Sequence, residues 1–534
     1  MLDTHPMGES NEPKKTALAQ ASEDVMVAQT MGGRMHVRWD ESAQATPHGQ
    51  LVFFAEFLAT AGVFDRWVDG CPLSYSSPNA STKRDVLGTL MLGILAGSRR
   101  YAHIAGVRGD AVAAQALGLR SVVSEDSVRR ALKAMVPATS EPWMRTALMD
   151  SVKSALNRPW VLDIDATIKP LYGHQQGAEI GYNPHKPGRP SHVLHTFWVG
   201  NLRLVLDAVL TSGKQHSSGH AKAPLERLLD ELGDQRPALL RGDCGYGNED
   251  IIDVCEQREL PYLLRLRRTA NVKRLIERLF TREGWSRASE ASQGWQAIEH
   301  SIRLHGWSRE RRVVVLRRRI KHDIALTAAK SAGNARHEQL VLALPFDEVQ
   351  DNAQLWEYTV LVTNAEYDLT AIGQLYRDRC DCENGFDELK NLGHEGATSW
   401  PLGWGGFTTH DMHRSQITAR AVALVYNWWS WYVRAANPAA RREALTSRPL
   451  LLAAVGRAVS HGGQTLLYLT PMHAEVGLIK SMIANVHAAI RHVRSAAEQL
   501  PTLDRWATLL AYICRQIVGQ IGLPTLPPVL AAPG

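Results

Sequence analysis

Residues 159–270 carry a fixed order of strand and helix patterns, and this order limits the fold more than any other feature of the sequence. A strand pattern comes first, and Gly200-Asn201 then separates two further strand patterns, as a two-residue hairpin would. A helix, a strand, a second helix and a last strand follow, which favours parallel pairing for the later strands and an α/β class. These elements are predicted at residues 160–168, 192–199, 202–211, 221–232, 237–241, 248–258 and 262–267.

The order resembles a ribonuclease H-like core, in which three antiparallel strands precede alternating helices and parallel strands. Strand patterns also fill 271–365, where they interrupt this core, and helical patterns dominate both flanks. With 534 residues, 45% of them hydrophobic, the chain is long enough for three or four domains. The chain is therefore predicted to fold as an α/β core with an inserted β-rich subdomain, between N- and C-terminal helical regions.

The charge and the cysteine content indicate which partners and which cellular compartment to expect for this protein. The formal net charge is +6, and residues 261–321 hold 16 Lys or Arg against five Glu and no Asp. A segment with so much charge of one sign indicates a DNA-facing surface, although a solvated basic face is the alternative. Six cysteines are too few for a disulfide framework. No apolar stretch near the N-terminus reaches the roughly 20 residues that span a bilayer, so a cytoplasmic, nucleoid-associated protein is expected.

Asp165 lies at the end of the first predicted strand, on the same strand face as Asp163. Two carboxylates on one face repel each other unless a cation or a hydrogen-bond donor compensates them. The opposite face, with Leu162 and Ile164, is apolar and is expected to be the buried one. An edge strand with a polar outer face is the alternative, and Asp163 is the substitute if Asp165 is not the functional acid.

Asp243 follows another predicted strand, within the glycine-rich segment 242–247. A carboxylate at the carboxyl end of a strand is well placed to face a crevice. An ordinary aspartate in a turn is the alternative interpretation of this segment.

A predicted helix after residue 368 carries Tyr376, Arg379, Glu383 and Lys390, at spacings of three, four and seven. At about 100° per residue these four side chains fall on one stripe of the helix. An ordinary amphipathic helix would place apolar residues on its inward stripe. The alternative is an ion-paired surface face, because Arg379 and Glu383 are i,i+4 neighbours.

These spacings match the Tyr-Arg-Glu-Lys signature, so the sequence resembles a large group of bacterial insertion-sequence transposases of the DDE type. The loop 181–192, the run 165–167 and the Asp-x-Gly-Tyr that begins at Asp243 resemble one branch of that group. The resemblance covers residues 155–395 clearly. The sequence departs from the pattern of that group at residues 380–382, where two cysteines flank an aspartate. The four signature positions are intact.

The resemblance implies that Asp165, Asp243 and Glu383 are the catalytic acids and the metal ligands. Such carboxylates hold two Mg²⁺ ions, for which Mn²⁺ can substitute, and these ions serve both DNA cleavage and strand transfer. Arg379 and Lys390 are expected to bind DNA phosphates, and Tyr376 to bind a phosphate or stack on a base. The implied partners are double-stranded DNA, as terminal inverted repeats and target, and a second copy of the chain in the DNA complex; no membrane is implied.

Two other functions stay open: a Mg²⁺-dependent endonuclease without joining activity, and a catalytically silent DNA-binding regulator. A capped, arginine-bearing helix after Ser124 is either part of a helix-turn-helix or an ordinary bundle helix. The predicted divisions are a disordered tail (1–35), a helical N-terminal DNA-binding region (36–155), the first part of the core (156–270), a β-rich insertion (271–365), a core helix with the third acid (366–395) and a helical C-terminal region (396–534).

Overall fold

A computed structural model describes residues 26–40, 42–75, 77, 79–183, 186–215, 217–289, 292–319, 356–379, 409–471, 473–497 and 499–521. Glu383 and Lys390 therefore lie outside the described residues, as do the segment 380–382 and most of the predicted tail.

The described strands are β1 (Met26–Thr30), β2 (Gly33–Val37), β3 (Ala45–Thr46), β4 (Val161–Pro170), β5 (Glu179–Ile180), β6 (Pro190–Val199), β7 (Leu204–Ser212), β8 (Leu239–Gly242), β9 (Tyr262–Arg265), β10 (Trp295–Ile302), β11 (Arg311–Arg319), β12 (Trp356–Thr363), β13 (Gly456–His461) and β14 (Gln464–Leu469). The described α-helices are α1 (Leu51–Ala61), α2 (Val63–Asp69), α3 (Lys83–Leu95), α4 (Ala111–Ala116), α5 (Glu125–Ala134), α6 (Pro137–Val152), α7 (Ser217–Leu232), α8 (Glu249–Gln257), α9 (Ala270–Phe280), α10 (Leu369–Arg377), α11 (Met412–Ala436), α12 (Ala444–Leu451), α13 (Val476–Ala497) and α14 (Thr502–Ile521).

A mixed sheet organises the middle of the chain, as the sequence predicts. β4 pairs antiparallel with β6, and β6 pairs antiparallel with β7. β8 and β9 then add on the other side of β4, each parallel to its neighbour. β4 is thus a central strand, which excludes the edge-strand alternative. The predicted two-residue turn between β6 and β7 is instead a four-residue loop, 200–203, in which Arg203 takes a positive φ of 47°.

The β-rich segment continues this same sheet. β12 pairs antiparallel with β9, β11 with β12, and β10 with β11, so nine strands share one sheet. The segment begins with a helix that the strand patterns did not predict, α9. Two hairpins also fall where none was predicted. β1 and β2 lie within and just beyond the predicted tail, and β13 and β14 interrupt the predicted helical C-terminal region.

Both faces of the sheet are covered. Leu162 and Ile164 face the larger hydrophobic core, as predicted, and are at most 1% exposed. The opposite face was expected to be the polar one, yet its Val161 packs in a second core, together with Ile372 and Leu375 of α10. Parallel strands in the middle of a sheet are usually buried on both sides, and here α10 supplies the second cover.

The long helix α11 lies against β7 and is buried around almost its whole circumference. Its tryptophans form hydrogen bonds inside the protein: Trp429 Nε1 donates to Ser447 Oγ at 2.9 Å, and Trp431 Nε1 to the Ser151 carbonyl at 3.0 Å. The helix is therefore core in this chain. Among the described residues, no helix is long and apolar enough to cross a membrane.

Candidate acidic site on the central strands

Two of the three predicted acids lie on neighbouring parallel strands. In the pairing of β4 with β8, Ile164 is opposite Gly242, and Asp165 and Asp243 each follow by one residue. Neighbouring strands in a sheet are about 4.8 Å apart, so the two aspartates are neighbours. β4 continues to Pro170, so Asp165 lies within its strand, where the pairing with β8 ends, and not at the strand end as predicted. The third predicted acid, Glu383, lies outside the described residues.

A tight turn fixes Asp243. Its Oδ1 accepts a hydrogen bond from the Gly245 N–H at 2.8 Å, and its carbonyl accepts from the Tyr246 N–H at 3.1 Å. A Cβ atom on Gly247 would collide with the carbonyl oxygen of Arg265 on β9, so glycine is required at this close approach. Asp243 is thus a turn residue, as the alternative interpretation held, and it also lies beside Asp165.

Arg379 neutralises Asp165. Its Nη2 donates to Asp165 Oδ2 at 2.6 Å, and Arg379 is 5% exposed. Arg379 follows the end of α10, and its N–H still bonds to the Tyr376 carbonyl at 3.2 Å. Burial alone would lower the pKa of Arg379, but the negative charge of Asp165 raises it above its ordinary value. The guanidinium therefore stays charged beside the acid.

Two phenols adjoin the acids. Burial raises the pKa of Tyr246 well above its ordinary value, and the negative charges of Asp165 and Asp243 raise it further. Burial also raises the pKa of Tyr376 to about 12, although the positive charge of Arg379 acts in the opposite direction. Both phenols keep their protons at neutral pH and can act as hydrogen-bond donors.

Asp163 has a different partner. Its two oxygens accept from Nε and Nη2 of Arg241 at 2.6 and 2.7 Å, and both residues are at most 4% exposed. A third hydrogen bond runs from Arg241 Nη1 to the carbonyl of Leu375 on α10. A Cβ on Gly200 would collide with the Asp163 carboxylate. This enclosed pair leaves Asp165 as the better-placed acid.

Sequence reasoning missed Arg241 and Tyr246 as parts of this arrangement. Arg241 left one signal, a charged residue inside an otherwise apolar strand, and Tyr246 lies in the Asp-x-Gly-Tyr run. His195 is 1% exposed and contacts Tyr246: its Nδ1 is 3.4 Å from the phenol oxygen and its Nε2 is 3.2 Å from Thr211 Oγ1. It is a hydrogen-bonded core residue.

The described side chains supply only some of the ligands that a hard divalent cation such as Mg²⁺ needs. No three His, Cys, Asp or Glu side chains converge within the described portions of the chain. Asp165 and Asp243 supply two carboxylates, and oxygen is the donor that Mg²⁺ and Mn²⁺ prefer. A third carboxylate would have to come from outside the described residues, where Glu383 lies.

Some of the arginines in the basic segment 261–321 form ion pairs inside the protein. Arg311 is 5% exposed and bonds to Glu249 and Glu256 of α8, so its charge faces no solvent. By contrast, Lys273, Arg274 and Arg278 of α9 are exposed. The expected DNA-facing surface can therefore involve only some of these residues.

Three tryptophans of the same segment pack internally. Trp307 and Trp295 are at most 8% exposed. Trp285 is partly buried, and the Arg317 guanidinium lies 3.8 Å from the centre of its ring.

In the N-terminal helical region, the Ser124 hydroxyl accepts a hydrogen bond from the Ser127 N–H and caps α5, as predicted. A DNA-binding role for α5 stays a prediction.

Neighbouring carboxylates on adjacent parallel strands are one arrangement by which enzymes hold divalent metal ions. Comparison with known families is more specific. The family model described as Transposase DDE domain group 1 matches residues 43–494, which is most of the chain. The chain belongs to this family of transposases. Its members generally use divalent metal ions and act on DNA.

Among solved structures, the chain is similar to a piggyBac transposase in a cryo-EM synaptic complex with hairpin DNA, at 10% identity and a TM-score of 0.31. The match covers 91% of this chain and 87% of that one. No curated protein matches the sequence.

Proposed function

We propose that this transposase cleaves DNA at the ends of a transposon and joins the freed 3′ ends to target DNA, with Asp165, Asp243 and Glu383 as its catalytic acids. The observation that carries the proposal is the position of Asp165 and Asp243 at neighbouring points of two parallel strands. The strand order supports a ribonuclease H-like core. Terminal inverted repeats and target DNA are the proposed partners, and a homodimer is expected because two ends must be joined together.

The acids would hold two divalent ions, Mg²⁺ or in its place Mn²⁺. When bound, such ions activate the attacking water or 3′-hydroxyl and stabilise the leaving oxygen of the phosphodiester. The same carboxylates can serve cutting and joining, because both reactions displace an oxygen from phosphorus.

Arg379, Tyr376 and Lys390 are the proposed DNA-binding residues. Arg379 is paired with Asp165 in the described structure. A DNA phosphate offers a guanidinium the same two-oxygen geometry as a carboxylate, so it can compete for Arg379. We infer that Arg379 moves from Asp165 toward the phosphate when DNA arrives, which leaves the acid available to metal. Tyr376 keeps its proton and can donate to a phosphate oxygen.

The test uses the full chain with Asp165→Asn, Asp243→Asn and Glu383→Gln, and Asp250→Asn as the matched control. Asp250 is an exposed acid on α8, seven residues from Asp243. Each site variant should lower Mg²⁺-dependent nicking of a transposon-end duplex by roughly 10²-fold or more, because loss of a metal ligand should cost at least as much as loss of the groups that orient ligands. Duplex binding should survive, and the control should cleave normally.

Two assays separate the rival functions. Cleavage without joining of a pre-cut 3′ end to target DNA would favour the endonuclease. Absence of cleavage in the wild-type chain with either Mg²⁺ or Mn²⁺, while duplex binding persists, would favour the silent regulator. Full turnover in Asp165→Asn would show that the assignment of that acid is wrong.

A further inference from the structure

The loop between β4 and β6 contains most of the run 181–192, to which the proposed function gives no role. Residues 166–206 hold four Lys or Arg and four His against a single acid, Glu179. That acid is already compensated, because Lys214 Nζ lies 3.3 Å from its Oε1 and the Ser212 hydroxyl donates to its other oxygen. The loop is therefore cationic in sequence and in structure.

The acids around the loop have partners of their own. Asp165 and Asp207, which flank this stretch of sequence, form ion pairs with Arg379 and Arg420. The loop also contacts the segment that precedes α11, through a hydrogen bond from the Gln176 N–H. The acid of that segment is the N-cap of α11, where its carboxylate accepts a backbone N–H. Among the described residues, none of these carboxylates pairs with a cation of the loop.

Two of the loop cations meet on one tyrosine. Lys186 donates to the Tyr172 hydroxyl, and the Arg189 guanidinium lies 4.7 Å from the centre of the same ring. All three side chains are exposed, Tyr172 by 66%. Like charges held close together disfavour each other unless an anion joins them. This cluster of Tyr172, Lys186 and Arg189 is therefore suited to bind an anion.

The backbone that carries the cluster is anchored to the sheet. β5, in the middle of the loop, pairs with β6. Asn183 is 5% exposed, and its Oδ1 accepts from the Lys186 N–H at 3.0 Å. A Cβ on Gly181 would collide with the carbonyl oxygen of Gly213, so the loop lies directly against the chain after β7. An anion that binds here therefore has less chain to order, and ordering would weaken its binding.

The loop begins at the far end of the strand that carries Asp165. The Gln176 carbonyl accepts from His192 Nε2 at 2.8 Å, and His192 is opposite Lys169, which shares a strand face with Asp165. Pro170, the last residue of β4, follows Asp165 by five residues, which is roughly 17 Å along a strand. A DNA duplex rises about 3.4 Å per base pair, so this distance corresponds to about five base pairs.

We propose that the cluster of Tyr172, Lys186 and Arg189 binds the phosphate backbone of the DNA that the acids cut, about five base pairs from the cleaved bond. The inference rests on the proposed function, which brings that bond to Asp165. Arg189 suits a phosphate because a guanidinium offers two parallel N–H donors, and Lys186 adds a point charge. Tyr172 positions both cations through its ring and its hydroxyl.

The first experiment measures how salt affects binding of the full chain to a labelled random-sequence duplex of about 30 base pairs, by fluorescence anisotropy. The variant Lys186→Ala, Arg189→Ala should reduce the slope of log K against log salt by about 1.8, because two phosphate contacts are lost. The control Lys480→Ala, Arg491→Ala removes the same charge from exposed positions on α13 and should keep the wild-type slope. The charge-retaining exchange Lys186→Arg, Arg189→Lys should also keep it.

The second experiment tests the position of the contact. Single phosphates are replaced by neutral methylphosphonates in a duplex that the wild-type chain cuts. Replacement about five base pairs from the cut bond should weaken wild-type binding about eightfold at 0.1 M salt, which is the effect of one lost contact. The same replacement should not affect the alanine pair, which has already lost that contact. Equal losses in both proteins at every position would overturn the proposal.

An unchanged salt slope in the alanine pair, with affinity within about twofold of wild type, would also overturn the proposal. The proposed function would still stand if the wild-type chain cut DNA. A wild-type chain that bound no duplex would instead show that the proposed function itself fails. If the alanine pair melted early by circular dichroism, Lys186→Gln, Arg189→Gln removes the same charge, and a wild-type slope in that folded variant would overturn the proposal.

Discussion

Asp163 and Asp165 lie two residues apart on one strand face, and their partners give them different roles. Asp163 is held in two hydrogen bonds by Arg241, which also bonds to α10. Asp165 meets Arg379, which lies just past the end of α10. The Asp163 side chain is 1% exposed, which suits a structural ion pair, whereas the Asp165 side chain is 15% exposed and can exchange its partner.

Asp163→Ala should therefore destabilise the fold. Removal of one partner from a buried pair leaves the other charge uncompensated, which costs about 3–5 kcal/mol. Urea denaturation followed by circular dichroism measures the loss. Asp250→Ala, at an exposed position, should change stability by no more than about 0.5 kcal/mol. A variant at position 163 as stable as this control would mean that the pair contributes nothing to stability.

At the scale of elements, strand and helix order could be predicted because periods of two and 3.6 residues are local properties. The position of Asp243 at a strand end followed from the same patterns, whereas Asp165 lies inside β4, which continues to Pro170. The pair of Asp163 with Arg241 could not be predicted, because it depends on the register between two strands 78 residues apart. The helix α9 could have been predicted from the sequence. Its buried residues have helical spacing: Val272, Leu275, Ile276 and Leu279. The prediction for this segment rested on its basic charge and its strand patterns instead.

Two side-chain amides of α11 form hydrogen bonds with the backbone of β7, which is an edge strand of the sheet. The side-chain amide of Asn427 on α11 bonds to both the N–H and the carbonyl of Val205, at 2.9 and 2.7 Å. Gln416, three turns earlier, does the same for the Leu210 N–H and the Ala208 carbonyl, at 2.6 and 2.7 Å. These amides satisfy backbone groups that an edge strand would otherwise leave unpaired.

Asn427→Ala should cost at least about 2 kcal/mol, because two buried backbone groups lose their partners and each loss costs about 1–3 kcal/mol. Thermal unfolding measures the effect. The matched control is Thr508→Ala on α14, where an exposed hydroxyl bonds only to a carbonyl of its own helix. Equal melting temperatures for the two variants would show that water replaces the amide at the strand edge.

On the scale of the whole molecule, the β-rich segment is joined to the core by the sheet itself. β12 pairs with β9, and the buried Arg311 of β11 bonds to Glu249 and Glu256 of α8 at 2.5 and 2.9 Å. Burial alone would raise the pKa of Glu249, but the hydrogen bonds from Arg311 lower it to about 2. One sheet and one ion-pair network thus connect the segment to the turn that carries Asp243.

This connection predicts that a cavity in the segment weakens the whole fold. Leu316 of β11 is 3% exposed and packs in the same core as Leu375 of α10, so Leu316→Ala should cost about 2–5 kcal/mol. Calorimetry should show the main transition moved to lower temperature as a unit, since strands from both parts share one sheet. Leu466→Ala, at a position 46% exposed, should leave that transition in place. A new early transition in Leu316→Ala, with the main one unmoved, would instead mark the segment as an independently folding domain.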